Sequence, residues 1–298
     1  MKAAPFGVAL FFVCLGRLGG GEFPRVLEAP PGTTPEIDGV LSPGEWGDAT
    51  AFSGVKDWIP QFTPTTDPLD LALKGWVKHD GNRLFFAFEV IDDVLYGIDT
   101  GRWLPDENAK AHDLTREGYP WFGDEMELLI NASNTWVDKE GAAGNGSSWQ
   151  MVCNLTKSRK GGIGPAAGET SCLLEGEPRR EVAAWNTYAR WIQSDAMVAV
   201  ARVTAKRPRG GTYVIEWAVN FNPCLEVEPG RFYSTKLGDR AMGLNIALGD
   251  IDEKERGLQP SGKRNFGNFH HEDWWAGAKD VRTQLRHFGT LWIRTARR

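Results

Sequence analysis

The chain reads as an all-β protein: an antiparallel β-sandwich of the jelly-roll or immunoglobulin-like kind, with long loops. Three observations predict it. Short apolar segments, most of them alternating with period 2, recur eight times along the chain. Turns rich in Gly, Asp, Asn and Pro stand between those segments. No stretch sustains the 3.6-residue period of an amphipathic helix.

The segments follow in order along the chain. Leu71 to Lys78 alternates, with Leu71, Leu73 and Val77 on one face. Leu84 to Ile91 is nearly continuous in apolar residues, as in a strand covered on both sides. The turn Asp80-Gly81-Asn82 between them is a hairpin signal. Glu125 to Asn131 places Met126, Leu128 and Ile130 on one face and Glu125, Glu127, Leu129 and Asn131 on the other. Trp149, Met151, Cys153 and Leu155 form the next stripe. Met197 to Thr204 is apolar and β-branched. Thr212 to Val219 buries Tyr213, Ile215, Trp217 and Val219 and turns Glu216 the other way. Met242 to Gly249 and Phe288 to Ile293 complete the series. Short helical turns are expected near Ser42–Ala49 and Pro223–Val227. Three long segments, 92–122, 132–148 and 156–181, interrupt the strands, and loops of that length are usually functional.

The chain has 298 residues and a net charge of -5. That balance lacks the basic excess of a nucleic-acid binder. Residues 1–21 carry a basic start, an apolar run from Phe6 to Leu15 and a Gly-rich exit, the pattern of a secretory signal peptide. The run is too short for a comfortable membrane span, and no later segment is long enough either. The expected products are a signal peptide, 1–21, and one β-sandwich domain, 30–298, secreted or periplasmic, with no membrane span in the mature chain. Export permits a disulfide among Cys153, Cys172 and Cys224, with the pairing open. The 13 tryptophans ask for a use beyond core filling. Trp46, Trp76, Trp149, Trp217 and Trp292 stand in strand or motif positions and are expected in the core.

Five segments in order resemble carbohydrate-binding module family 9, the xylanase-associated branch of the DOMON-like sandwiches. They are Ile37-Asp-Gly39 with Glu45-Trp46, the hairpin from Leu73 to Asp93, and Pro120-Trp121-Phe-Gly-Asp-Glu-Met-Glu127-Leu-Leu-Ile130. The fourth is Gly211 to Val219. The fifth runs from Met242 to Asp252 and on through Trp274-Trp275 to Phe288-Gly-Thr-Leu-Trp292. The resemblance implies a sugar held between two tryptophans, at the end of an oligosaccharide or plant polysaccharide chain such as xylan. It implies a fold supported by calcium and a non-catalytic role in polysaccharide breakdown beside a separate glycoside hydrolase. Trp121 matches the first family tryptophan, Glu127 the acid, and Trp274 or Trp275 the second tryptophan. Gln150 stands where relatives carry Arg.

The chemistry of the residues agrees. An aromatic plate suits the C–H face of a pyranose, and carboxylate and amide groups suit its hydroxyls. For calcium, which takes oxygen ligands, the acids at strand ends are Asp92, Asp93, Asp250 and Asp252. No organic cofactor is expected on this reading. Two alternatives remain. A glycoside hydrolase needs paired carboxylates, for which Glu125 and Glu127, about 6.6 Å apart along a strand, and Glu216 are available. A DOMON-like domain binding haem b would use a Met and a His, drawn from Met126, Met151, Met197 and Met242 and from His79, His112, His270, His271 and His287.

Overall fold

The computed structural model describes residues 25–54, 58–60, 71–93, 95, 124–134, 148–154, 179–180, 183–186, 196–206, 210–251, 270–276 and 288–297. Two sheets face each other. The first has the order β1 (Val26–Ala29), β16 (Gly289–Ile293), β14 (Arg240–Ile251), β6 (Glu125–Asn131), β7 (Ser148–Asn154) and β9 (Ala183–Asn186). Strand β15 (His270–Trp274) pairs with the far half of β14 and with β3 (Ile59–Pro60). The second has the order β2 (Thr50–Ser53), β4 (Leu71–His79), β5 (Arg83–Asp92), β11 (Gly211–Asn220), β10 (Met197–Lys206) and β8 (Arg179–Arg180). All these pairings are antiparallel except β1 with β16, which is parallel. A ribbon of β12 (Glu226–Glu228) and β13 (Arg231–Phe232) stands apart. Among the described residues no helix is long and apolar enough to cross a membrane.

Each of the eight expected segments is a strand, because alternation puts one apolar stripe between the sheets. The second sheet contributes Leu73, Val77, Phe86, Phe88, Tyr213, Ile215 and Trp217, and the first contributes Met126, Leu128, Ile130, Met151, Leu244, Ile246 and Leu291. The turn at Gly81 has a φ of 96°, a left-handed conformation that suits Gly. Where helical turns were expected, residues 43–48 form a series of hydrogen-bonded turns without helix, through Glu45 N–H to Ser42 O, Gly47 N–H to Gly44 O and Ala49 N–H to Trp46 O, with Gly44 at a φ of 82°. The turn expected at Pro223–Val227 lies at Phe221–Cys224 instead, and Glu226–Glu228 is strand. Cys224 is a buried free thiol donating to Ala196 O at 3.4 Å, so it belongs to no disulfide. Cys153 is buried on β7, while Cys172 is outside the described residues.

The outer face of the second sheet carries a smaller core. Trp46 packs there on Phe85, Ala87 and Ala218, with Trp76 beside them. Trp76 and Trp292 are therefore corrections: each is out of phase with its strand's inner stripe and only half-buried. Lys78, on this same outer face, is fully buried. Its Nζ donates to Asp48 Oδ1 at 2.9 Å and Glu45 O at 2.5 Å, and lies 5.1 Å from the Trp46 ring centre.

Candidate functional site

The outer face of the first sheet is unusual for a sandwich, because its polar residues are buried. On β6 the residues out of phase with the core are Glu125, Glu127, Leu129 and Asn131, all 3% exposed or less. Register then decides which neighbours share that face. Glu127 is opposite Ala247 of β14, and Ala247 is opposite Trp274 of β15. Glu127 and Trp274 thus stand two strands apart, or roughly 10 Å between main chains, with only a methyl group between them. Asn245 is opposite Leu129. Its Oδ1 accepts from Ile246 N–H at 3.0 Å and Ala276 N–H at 2.9 Å, while Trp275 N–H donates to Ile246 O at 2.8 Å. Asn245 therefore pins the chain just after Trp274.

Trp275 faces the other way. It belongs to the core cluster, and a Cβ on Gly289 would lie 2.5 Å from its ring. Of the two adjacent tryptophans, Trp274 is the one on the Glu127 side, at 3% exposure. Gln150 occupies the register position opposite Leu129, in line with Asn245. Trp121 lies outside the described residues.

At one end of the sandwich the inner stripes finish in acids. Asp92 continues the stripe of Phe86, Phe88 and Val90. Asp124 precedes Met126 in phase, and Asp250 follows Leu248 in phase. Their carboxylate oxygens lie within 4.8 Å of one another, and all three residues are buried. Tyr213, opposite Val90, is fully buried beside them, and among the described residues its hydroxyl has no hydrogen-bond partner. Burial first, then the negative charge of Asp124, Asp92, Asp250 and Glu125, pushes that hydroxyl well above its ordinary pKa.

An all-oxygen donor set fits a hard divalent cation better than zinc or copper. Oxygens up to about 5 Å apart can share one calcium ion with ligand distances of 2.3–2.6 Å. Asp92 and Asp250 were legible as metal candidates, and Asp124 was missed. Asp93, one residue out of phase with the stripe, is exposed and is not part of this cluster. Asp252 lies outside the described residues.

Glu216 is also a correction. It stands on the outer face of the second sheet, across the whole sandwich from Glu127. Its Oε2 accepts from Asp38 N–H at 3.0 Å and Gly39 N–H at 2.8 Å, and its Oε1 from Trp46 Nε1 at 3.0 Å. These three donors explain the Ile37-Asp-Gly39 and Glu45-Trp46 motif as a structural lock rather than a catalytic element. Glu125 lies over Gly249, where a Cβ would come within 2.7 Å of its Cγ. For haem, His79 is unsuited: its Nε2 is bonded to Arg294 O at 2.6 Å and its Nδ1 accepts from Gly81 N–H at 3.1 Å.

No protein-family model matches the chain. No curated protein matches it either. Solved structures do. A family 9 carbohydrate-binding module from Caldicellulosiruptor kristjanssonii, in complex with cellotriose, covers 92% of this chain and 95% of its own length, with a TM-score of 0.50 and 13% identity. A candidate carbohydrate-binding protein from Bacteroides uniformis covers 91% of this chain and all of its own, with a TM-score of 0.52 and 9% identity. The two facing sheets, their near absence of helix and these two likenesses together show that the chain has the fold of the family 9 carbohydrate-binding modules.

Proposed function

We propose that this chain is a non-catalytic carbohydrate-binding protein, exported by its N-terminal segment, that holds a sugar chain end on the outer face of its first sheet. The observation that carries the reading is the register that sets Glu127, Ala247 and Trp274 abreast. Trp274 supplies an indole face for the C–H side of a pyranose, and the Glu127 carboxylate accepts from its hydroxyls. Trp121, close before β6 in sequence, supplies the opposing plate, and Gln150 an amide at the far side. Asn245 is a positioning residue that fixes Trp274. The fold supports this reading, and the neighbour from Caldicellulosiruptor is described in complex with cellotriose.

Asp92, Asp124 and Asp250 would hold a calcium ion. A divalent cation there offsets the mutual repulsion of three buried carboxylates and ties β5 of one sheet to β6 and β14 of the other. A separate glycoside hydrolase would supply the chemistry. Locking Glu216 into the second sheet's outer layer removes it as a second catalytic acid.

Calorimetry with glucose, cello-oligosaccharides and xylo-oligosaccharides tests the proposal. Glu127→Gln keeps shape and removes charge. A charge-assisted hydrogen bond is worth roughly 1.5–3 kcal/mol, so affinity should fall by about one to two decades in a variant that a melting curve shows to be folded. Wild-type protein should release no reducing sugar from the same oligosaccharides. Absence of binding across the whole series, or turnover that disappears in Glu127→Gln, defeats the proposal.

A further inference from the structure

A second recessed surface lies at the end of the sandwich opposite the three aspartates. It is a groove of about 770 Å³ between the Gly81–Arg83 turn, the Asn220–Asn222 segment and the Gly230–Ser234 stretch. That volume is within the range of small-molecule sites, roughly 300–1,000 Å³. Its lining is chemically biased. It includes Arg83 and Arg231 and no acidic residue, together with Asn82, Asn220 and Asn222 and the ring of Phe232. No side-chain hydrogen bond among the described residues engages the three carboxamides.

The walls are fixed by the main chain. Phe221 N–H donates to Asn82 O at 2.8 Å, and Tyr233 N–H donates to Leu225 O at 2.8 Å. The Phe221 and Tyr233 rings meet edge-on at 4.9 Å behind the groove. Nearby acids are held by their own turns. Asp80 Oδ1 accepts from Asn82 N–H and Arg83 N–H, its Oδ2 lies 3.5 Å from Arg83 Nε and leaves the two terminal guanidinium nitrogens of Arg83 available, and Glu226 Oε1 accepts from Gly230 N–H. Glu228 pairs with Arg231 at 3.0 Å, with both side chains more than half exposed. An exposed pair of that kind contributes little and leaves most of the guanidinium donors available.

We propose that this groove binds a sugar acid, a polyhydroxylated ring bearing a carboxylate. Arg231 takes the carboxylate, since a guanidinium fork matches its geometry, and Arg83 adds its terminal nitrogens while its Nε stays with Asp80. The carboxamides, each both donor and acceptor, take neighbouring hydroxyls, and Phe232 takes the C–H face. The proposal is independent of the sheet-face site, because it shares no residue with it.

The test uses the full chain and titrates glucuronate, glucose and inorganic phosphate by heteronuclear NMR and calorimetry. Glucuronate should bind and shift the amide signals of residues 81–83, 220–222 and 230–234, and should weaken in 0.5 M salt. Arg231→Ala and Asn222→Ala, both at exposed positions, should each weaken it at least tenfold, and Glu127→Gln should leave it unchanged. Glucose and phosphate should each bind the groove at least tenfold more weakly, because each lacks one half of the recognition. The proposal is overturned by an absence of glucuronate binding, by an Arg231→Ala protein that binds it normally, by phosphate binding as tightly, or by loss of binding in Glu127→Gln. Each of these results leaves the cello-oligosaccharide experiment to stand or fall alone.

Discussion

Two regions of this molecule bury carboxylates, and they do so in opposite ways. Around Glu216 the chain surrounds one acid with its own donors: two backbone N–H groups and an indole. At the end of the sandwich it converges three acids, from β5, from just before β6 and from β14, on one another. An acid among N–H groups is satisfied by the protein and reads as architecture. Acids gathered within 4.8 Å of one another form an oxygen-rich cluster of the kind that could hold a metal ion. Composition alone does not separate the two cases, since both regions combine buried acids with buried aromatics. The identity of the atoms facing the oxygens does.

The contrast is broken most sharply by metal removal. Calcium at about a hundred times its dissociation constant should add about 2.7 kcal/mol, or roughly 5–10 °C in melting temperature for a chain of this size. Scanning calorimetry with and without chelator should show that response in the wild type and in Glu216→Gln, and should show it abolished in Asp250→Asn. An equal response in Asp250→Asn would place the ion elsewhere.

A smaller effect is expected at the self-satisfied site. Trp46→Phe keeps a ring for Lys78 but removes the Nε1–H donor, leaving one oxygen of a buried carboxylate short of a partner. Denaturant unfolding at pH 7.5 should show a loss of about 2 kcal/mol. Trp46→Phe combined with Glu216→Gln should recover part of that loss, since the uncompensated charge is gone.

The smallest effect is in pH dependence. Burial pushes Glu216 up to about 7, against the pull of Gly39, Asp38 and Trp46. The folded protein therefore holds a proton there between its unfolded value near 4.5 and about pH 7, where the unfolded chain does not. The stabilisation is complete below pH 4.5 and is lost as pH rises towards 7. Melting temperatures of Glu216→Gln and wild type should converge at the acid end of that window, with the wild type falling relative to the variant towards neutrality. A parallel offset throughout would place the titration on another group.

Much of this was legible in the sequence, and phase was the reason. The long strands showed themselves through sustained patterns: alternation along Leu71–His79 and an almost unbroken apolar run within Arg83–Asp92. Phase also held information that strand ends obscured. Asp92 and Asp93 look alike as turn acids, but only Asp92 continues the stripe from Leu84 through Val90. Asp124 precedes its strand and becomes significant only once β6 is known to begin at Glu125. Trp274 and Trp275 could not be told apart, because β15 is His-His-Glu-Asp-Trp and carries no apolar alternation. The short strands β1 and β2, at four residues each, are likewise too brief for a period to declare itself.

The parallel pairing of β1 with β16 has a consequence for how the molecule forms. Val26–Ala29 finds its ladder partner in Thr290–Ile293, almost the whole length of the chain away. The two ends are further tied by Arg297 Nε to Pro31 O at 3.0 Å and by His79 to Arg294 O. The loop that this contact closes spans nearly the entire polypeptide, which places the fold in the slow, high-contact-order class. Without β16, β14 lacks a neighbour along Arg240–Met242, and β1 has no ladder among the described residues. The docking of β1 therefore depends on a contact of long sequence separation.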